Sequence, residues 1–219
     1  MDLLDFARGP ALTVSIAVFC LGVTWRLVSL LLLPWMKDKS EPRPGAPSKI
    51  SAAIGGFVRH MWIPKDFGQV TMFTVINGYV FHVGLAIVVF GFAQHILFLK
   101  GLFGVSWPGL PTGVITVVAV ITLVSLVAAL IKRTTSPVLR LISTANDYFS
   151  WLVTVLPVLT GLLAVNHIGA RYETLLAIHL LSVAALLIWF PFGKLMHAFL
   201  VFLTRTRTGI FYGRRGVGI

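Results

Sequence analysis

Five apolar stretches dominate the pattern of hydrophobic and polar positions: roughly Ala11 to Leu33, Phe73 to Leu99, Gly113 to Ile131, Tyr148 to Val165, and Thr174 to Phe192 with a helical continuation to about residue 203. Each is long enough to cross a hydrocarbon core, which takes about 20 residues of helix. The pattern therefore predicts an all-α integral membrane bundle, one domain over residues 1–219 with five transmembrane helices, and the odd number puts the termini on opposite sides. Between the first two spans, Ile50, Ile54, Phe57, Met61 and Trp62 recur at helical spacing with Lys49, Arg59 and Lys65 around them. This predicts an amphipathic helix over about 49–63 that lies on the membrane surface. The linker before it, Lys37 to Lys49, carries Pro42, Pro44 and Pro47. Thr144-Ala-Asn-Asp147 reads as a capping box opening the fourth span. Within that span, Pro157 and Gly161 read as a kink or a thinning for close packing.

Composition agrees: 57% of residues are hydrophobic and 11% charged, a charged share far below that of soluble domains. The net charge of +11 could suggest nucleic acid, but fourteen of the eighteen Lys and Arg fall in three segments, Lys37 to Lys65, Lys132 to Arg140 and Lys194 to Arg215. All three lie on one side of a five-span chain. The positive-inside rule then places the N-terminus outside and the C-terminus in the cytoplasm of a cell inner membrane. Topology and anionic lipid account for the basic surface without nucleic acid. Cys20 is the single cysteine, so the chain has no disulfide framework, no CxxCH haem attachment and no cysteine-held cluster. An iron–sulfur centre would have to belong to a partner. Asp2 and Asp5 precede the first apolar segment and no small-residue cleavage site follows, so it is expected to be a retained helix.

The candidate chemistry lies in histidines. The stretch Ile178 to Phe202 carries His179 and, eighteen residues later, His197, with Pro191 between them. An imidazole in hydrocarbon is costly and points to a functional site. Eighteen residues return to the same helix face, about 27 Å further along. The second span carries His82 and His95 and runs the opposite way, so depths match in pairs: His82 with His197 on the cytoplasmic side, His95 with His179 on the outer side. Paired imidazoles from two helices are the usual axial ligands of haem iron, which predicts two haem b groups. On an ideal helix His82 and His95 lie about 20 Å and 140° apart, so both face the fifth span only with a local unwinding near Gly91. A bend at Pro191 would reconcile the longer His179 to His197 separation. Arg26, inside the first span, either snorkels to the surface or pairs with a haem propionate. His60 reads as a surface or partner-contacting residue, and His167, in the polar turn after the fourth span, is an alternative to His95 as a ligand. The basic, Gly-rich tail Thr204 to Ile219 suits lipid or a cytoplasmic partner.

These residues resemble the gamma subunit of respiratory nitrate reductase and its relatives, the membrane cytochromes b of heterodisulfide-reductase-like and sulfite-reduction-associated complexes. The resemblance rests on His179-Leu180, Phe190-Pro191-Phe192-Gly193-Lys194-Leu195-Met196-His197, Phe81-His82 with Gly84, Gly22 with Arg26, and Ser136-Pro137, Arg140, Thr144 and Asp147 with Gly161-Leu162-Leu163. One departure stands out: the family's other second-span histidine falls ten residues after the first, where Phe92 stands here. The resemblance implies a five-helix dihaem cytochrome b that exchanges electrons with quinone near the outer haem and with a cytoplasmic iron–sulfur subunit, by quinol oxidation or, in the other direction, by quinone reduction, with the terminal catalytic site on other subunits. The lysine that family members place near the outer quinone site has no clear counterpart, and Lys100 is the nearest basic residue. The alternatives are a haem-free membrane anchor or permease, and a cytochrome with one haem at His82 and His197.

Overall fold

A computed structural model describes residues 2–34, 38–63 and 68–217, without the side chains of Gln69 and Val70. Lys37 and Lys65, which bound the first basic segment, lie outside the described residues. The described chain is helical, with one isolated bridge between Phe92 and Leu110. In order it forms α1 (Leu3–Phe6), a π-helical turn (Ala7–Ala11), α2 (Leu12–Leu31), α3 (Lys49–Arg59), α4 (Gly68–Gly91), α5 (Ala93–Phe103), α6 (Thr112–Thr135), α7 (Pro137–Ile142), α8 (Ala145–Val165), α9 (Tyr172–Trp189), a 3-10 turn (Lys194–Met196) and α10 (His197–Arg215). Five helical stretches are long and apolar enough to cross a membrane: Leu3–Leu31, Thr71–Gly91, Thr112–Thr135, Ala145–Val165 and Tyr172–Trp189. The chain has the makings of a multi-pass membrane protein.

Three boundaries differ from the sequence reading. The first span begins at Leu3, not near Ala11: the Asp2 carboxylate accepts the Asp5 amide at 2.7 Å and caps α1, and the wide π turn absorbs Pro10 without ending the helix. The stretch Phe73 to Leu99 is not one span but two helices that break at Phe92, beside the unwinding expected near Gly91. The fifth ends at Trp189, and residues 197–203 belong to the separate helix α10.

The spans pack in the order α2, α9, α8, α6, α4. Ala119, Leu126, Val155 and Val158 form the buried centre between α6 and α8. The α4–α5 arm is not a close backbone neighbour of α9 among the described residues, which leaves a gap between the second and fifth spans. Small residues set the closest approaches, as expected where helices pack in lipid. A Cβ on Gly84 would fall 2.0 Å from the Thr122 hydroxyl of α6, and one on Gly22 of α2 would fall 2.6 Å from Cγ of Pro191. The Pro191 ring is tied to its own backbone and cannot swing aside. Gly22→Val is therefore expected to cost about 1–3 kcal/mol by overpacking, measured as a lower Tm of the purified protein in detergent.

The tail is helical as far as Arg215 and packs on α3. A Cβ on Gly56 would meet the Gly209 Cα at 2.3 Å, so the two glycines let the backbones nearly touch. The rings of Phe57 and Phe202 stack at 5.6 Å, and the Arg205 guanidinium donates to the His60 carbonyl at 2.7 Å. Asp38 in the linker pairs with Arg215 at 3.0 Å, and Arg214 donates to the Ser40 carbonyl at 2.6 Å.

Candidate functional site

Two breaks in the helices, one in each arm, decide where the histidines stand. At Phe92 the backbone turns extended, with φ −79° and ψ 126°, and the carbonyls before it lose helical donors. A carbonyl in hydrocarbon must find a partner within the protein. Phe90 accepts from the Trp107 indole at 2.6 Å, Gly91 from the Leu110 amide at 2.8 Å, and Val88 from Nδ1 of His95 at 3.0 Å. The unwinding thus falls beside Gly91, and it rotates His95 toward the gap from a position three residues past the one that Phe92 occupies.

The second break runs over residues 190–193. Pro191 is fully buried, and Gly193 is extended at φ −95°, ψ −177°. A Cβ on Gly193 would lie 2.2 Å from the Trp189 indole nitrogen. The start of α8 holds this turn in place. Its capping box is formed: the Asp147 carboxylate accepts from the Thr144 amide at 2.9 Å. The same carboxylate pairs with Lys194 at 2.6 Å and with Arg133 at 3.0 Å. Asn146 accepts the Lys194 amide at 3.0 Å, and the Trp189 indole donates to Ser150 at 2.9 Å. The turn therefore delivers His197 as the first residue of α10, and the 27 Å of a straight helix does not apply.

The structure brings His82 and His179, inside the second and fifth spans, together with His197 and His95, which lie beyond the ends of those spans, in two pairs. The ring centroids of His82 and His197 are 5.9 Å apart, and those of His95 and His179 are 6.2 Å apart. Both pairs face each other across the gap between the second and fifth spans. Among the described residues no three or more His, Cys, Asp and Glu converge, so histidines in twos are what the site offers. Two metal–imidazole bonds of about 2.0 Å each, lengthened by the reach from nitrogen to ring centre, give a centroid separation near ~6 Å. Plain aromatic pairs also fall within about 4.5–7 Å, so separation alone does not single out metal ligation. The proton accounting is more telling.

A carbonyl can only accept, so each Nδ1 facing one carries the proton. His82 donates to Gly78 at 2.7 Å, His95 to Val88 at 3.0 Å, and His197 to Lys194 at 2.8 Å. His179 differs, because its Nδ1 lies 3.2 Å from the Thr160 hydroxyl. That hydroxyl sends its own proton to the Leu156 carbonyl at 2.7 Å, so it accepts from His179. Ser182, 3.0 Å from Thr160 and 2.7 Å from the His179 carbonyl, completes the cluster. In a neutral ring an Nδ1 that donates leaves Nε2 as the lone pair, which is the tautomer a metal-binding imidazole needs. The His82 and His197 rings are exposed, although His82 lies within a span. A bound group spanning the pair would relieve that cost.

A cavity of about 730 Å³ adjoins His197, within the roughly 300–1,000 Å³ of cofactor-sized sites. Arg26, Lys194 and Arg205 line it together with Leu200 and Val201. Arg26 therefore stands at the mouth of a cavity beside His197. Lys100 lines a separate cavity of about 230 Å³ with Ala93, Ile96, Ser106 and Trp107, on the helix that carries His95. His167 is exposed at φ 53° with its ring 5.2 Å from Tyr172, and is not paired with His179. His60 is at the end of α3, where its ring faces the Gly56 carbonyl at 2.6 Å. Sequence reasoning missed Thr160, Asn146 and Arg205. Lys194 and Asp147 were visible as motif residues, but their bond to each other was not.

No family model matches the sequence, and no solved structure matches it significantly. A protein of Nitratidesulfovibrio vulgaris strain Hildenborough, described as "Protein", is 31% identical over 220 residues, which cover 96% of this chain and 94% of that protein. With that identity over nearly the full length of both, the chain belongs to the same family as the Nitratidesulfovibrio vulgaris protein.

Proposed function

We propose that the chain is the dihaem b membrane subunit of a respiratory redox complex, passing electrons between the quinone pool and a cytoplasmic-side iron–sulfur partner subunit. The observation that carries this reading is the meeting of four histidines in two facing pairs, each with its Nδ1 held by a neighbouring oxygen. Bound haem would supply reversible one-electron transfer at iron whose potential the axial ligands tune. The chain's own residues do the rest. His82 and His197 would hold the inner group, and His95 and His179 the outer one. Their Nδ1 partners fix ring orientation and raise ligand basicity. Arg26, with Arg205 across the cavity, offers guanidinium groups to propionate carboxylates.

The positive-inside distribution supports an N-terminus outside and a C-terminus in the cytoplasm of the inner membrane. Quinol is the substrate on the outer side, where Lys100 donates a hydrogen bond to a quinol oxygen. Two electrons leave quinol inward and two protons are released outside, so turnover builds a membrane potential.

The deciding measurement is haem b per polypeptide in the purified chain, by reduced-minus-oxidised spectrum and redox titration. Two haems with separate potentials are expected. One haem withdraws the His95 and His179 assignment, and a colourless protein returns the chain to a haem-free anchor or permease. A finer test is Thr160→Val, which removes the hydroxyl facing His179 without touching the other three histidines. A neutral hydrogen bond is worth about 1 kcal/mol, or about 40 mV for one electron. The variant is expected to keep both haems while the outer midpoint potential moves by that order and the inner one stays.

A further inference from the structure

Helix α3 has two apolar faces, and α10 covers only one of them. Ala52 and Gly56 are buried against α10. Beside them, at successive four-residue steps, Ile50, Ile54, Val58 and Trp62 are 74%, 59%, 56% and 79% exposed. Residues four apart share a helix face, so Ile50, Ile54 and Val58 form one continuous apolar stripe, and Trp62 stands exposed in the turn that follows the helix. An open stripe of this kind marks an interaction surface.

Two independent features say what covers it. The first is depth. The Tyr79 hydroxyl on α4 donates to the Met61 carbonyl just past α3, and Tyr79 lies about 12 Å along the helix from Thr71, where the second span begins. The far end of α3 is thereby pinned level with the first turns of a membrane span. The second is charge. Residues 38–63 and 197–215, which make up this part of the molecule, hold eight Lys and Arg against the two acids Asp38 and Glu41. Basic residues around an apolar stripe with a terminal Trp match the chemistry of an anionic lipid interface.

We infer that the Ile50, Ile54 and Val58 face of α3, with Trp62 in the turn beyond it, is seated in the headgroup and acyl boundary of an anionic bilayer, so that α3 and α10 form a platform lying on the lipid. This inference does not depend on haem binding. Because Cys20 is the single cysteine, the full chain with Cys20→Ser accepts one new cysteine at a time. Spin labels at Ile50→Cys, Ile54→Cys, Val58→Cys and Arg59→Cys are read in nanodiscs of phosphatidylethanolamine and phosphatidylglycerol. Labels at 50, 54 and 58 are expected to collide readily with oxygen and rarely with an aqueous nickel chelate, and the label at 59 to show the reverse. Nickel access at 54 equal to that at 59 would overturn the inference, and so would exclusion of both reagents, which would signal a protein cover. Brominated lipid provides a label-free check: the fluorescence lost on Trp62→Phe should be strongly quenched, and an unquenched Trp62 component also overturns it.

Discussion

Replacing His197 with alanine is expected to leave one haem b per chain, with the inner potential gone and the outer one kept. His197 opens α10 immediately after the turn at residues 190–193, and its exposed ring supports little packing. Truncation therefore removes a ligand without opening a hole in the core. Partners that only orient a ligand are worth about 10–100-fold in metal affinity, so loss of the ligand itself should exceed that range. Electron transfer from quinol to the partner subunit should fall with the inner haem. His60→Ala serves as the comparison, since His60 faces its own helix carbonyl and no other histidine. Retention of two haems with unchanged potentials in His197→Ala would sink the inner ligand assignment.

The second large effect is expected at Asp147, which binds no cofactor. Its side chain is 4% exposed and joins Lys194, Arg133 and the Thr144 amide. Hydrogen bonds to a charged group contribute about 1.5–3 kcal/mol, and loss of a helix cap costs about 1 kcal/mol. Both cations are partly exposed at 35% and 53%, so water takes up part of the loss. Asp147→Ala should destabilise the protein by about 2–3 kcal/mol, seen as a lower Tm in detergent. It should also loosen the turn that delivers His197. The sharper readout is selective: inner haem occupancy falls, outer haem occupancy holds, and Asp147→Asn recovers part of the loss because it can still cap. Equal loss of both haems would mean general unfolding and no special hold on the turn.

The sequence made the five spans legible because a run of apolar residues states its own preference for lipid whatever its neighbours do. The histidine pairs were legible for a related reason: polar rings stand out in such runs, and depth follows from counting residues along a helix. The turn at residues 190–193 was half visible, since Pro191 signalled a bend while the apolar residues after His197 read as more of the same span. What stops that helix is the grip of Asn146, Asp147 and Ser150 on Lys194 and Trp189, a contact between distant parts of the chain. The break at Phe92 is similar: Gly91 hinted at it, but Trp107 and Leu110 supply the donors that make it affordable. The first span starts earlier than its apolar run, because a capped turn at Asp2 and a π turn at Ala7–Ala11 carry the helix through Arg8 and Pro10. The pairing of α3 with α10 left no local mark at all, since Gly56 and Gly209 acquire meaning only beside each other.

The facing histidines also set an order of events at the ribosome. Each pair draws one ring from the second span and the other from the last span or the turn beyond it, with α6 and α8 made in between. A nascent chain that has inserted four spans holds only half of each pair, and His197 is synthesised after every membrane segment is complete. Neither pair can close before the last span is made, so on the proposed function haem would be captured only after that span is in place. Chains truncated before α10 would reach the membrane able to complete the outer pair alone.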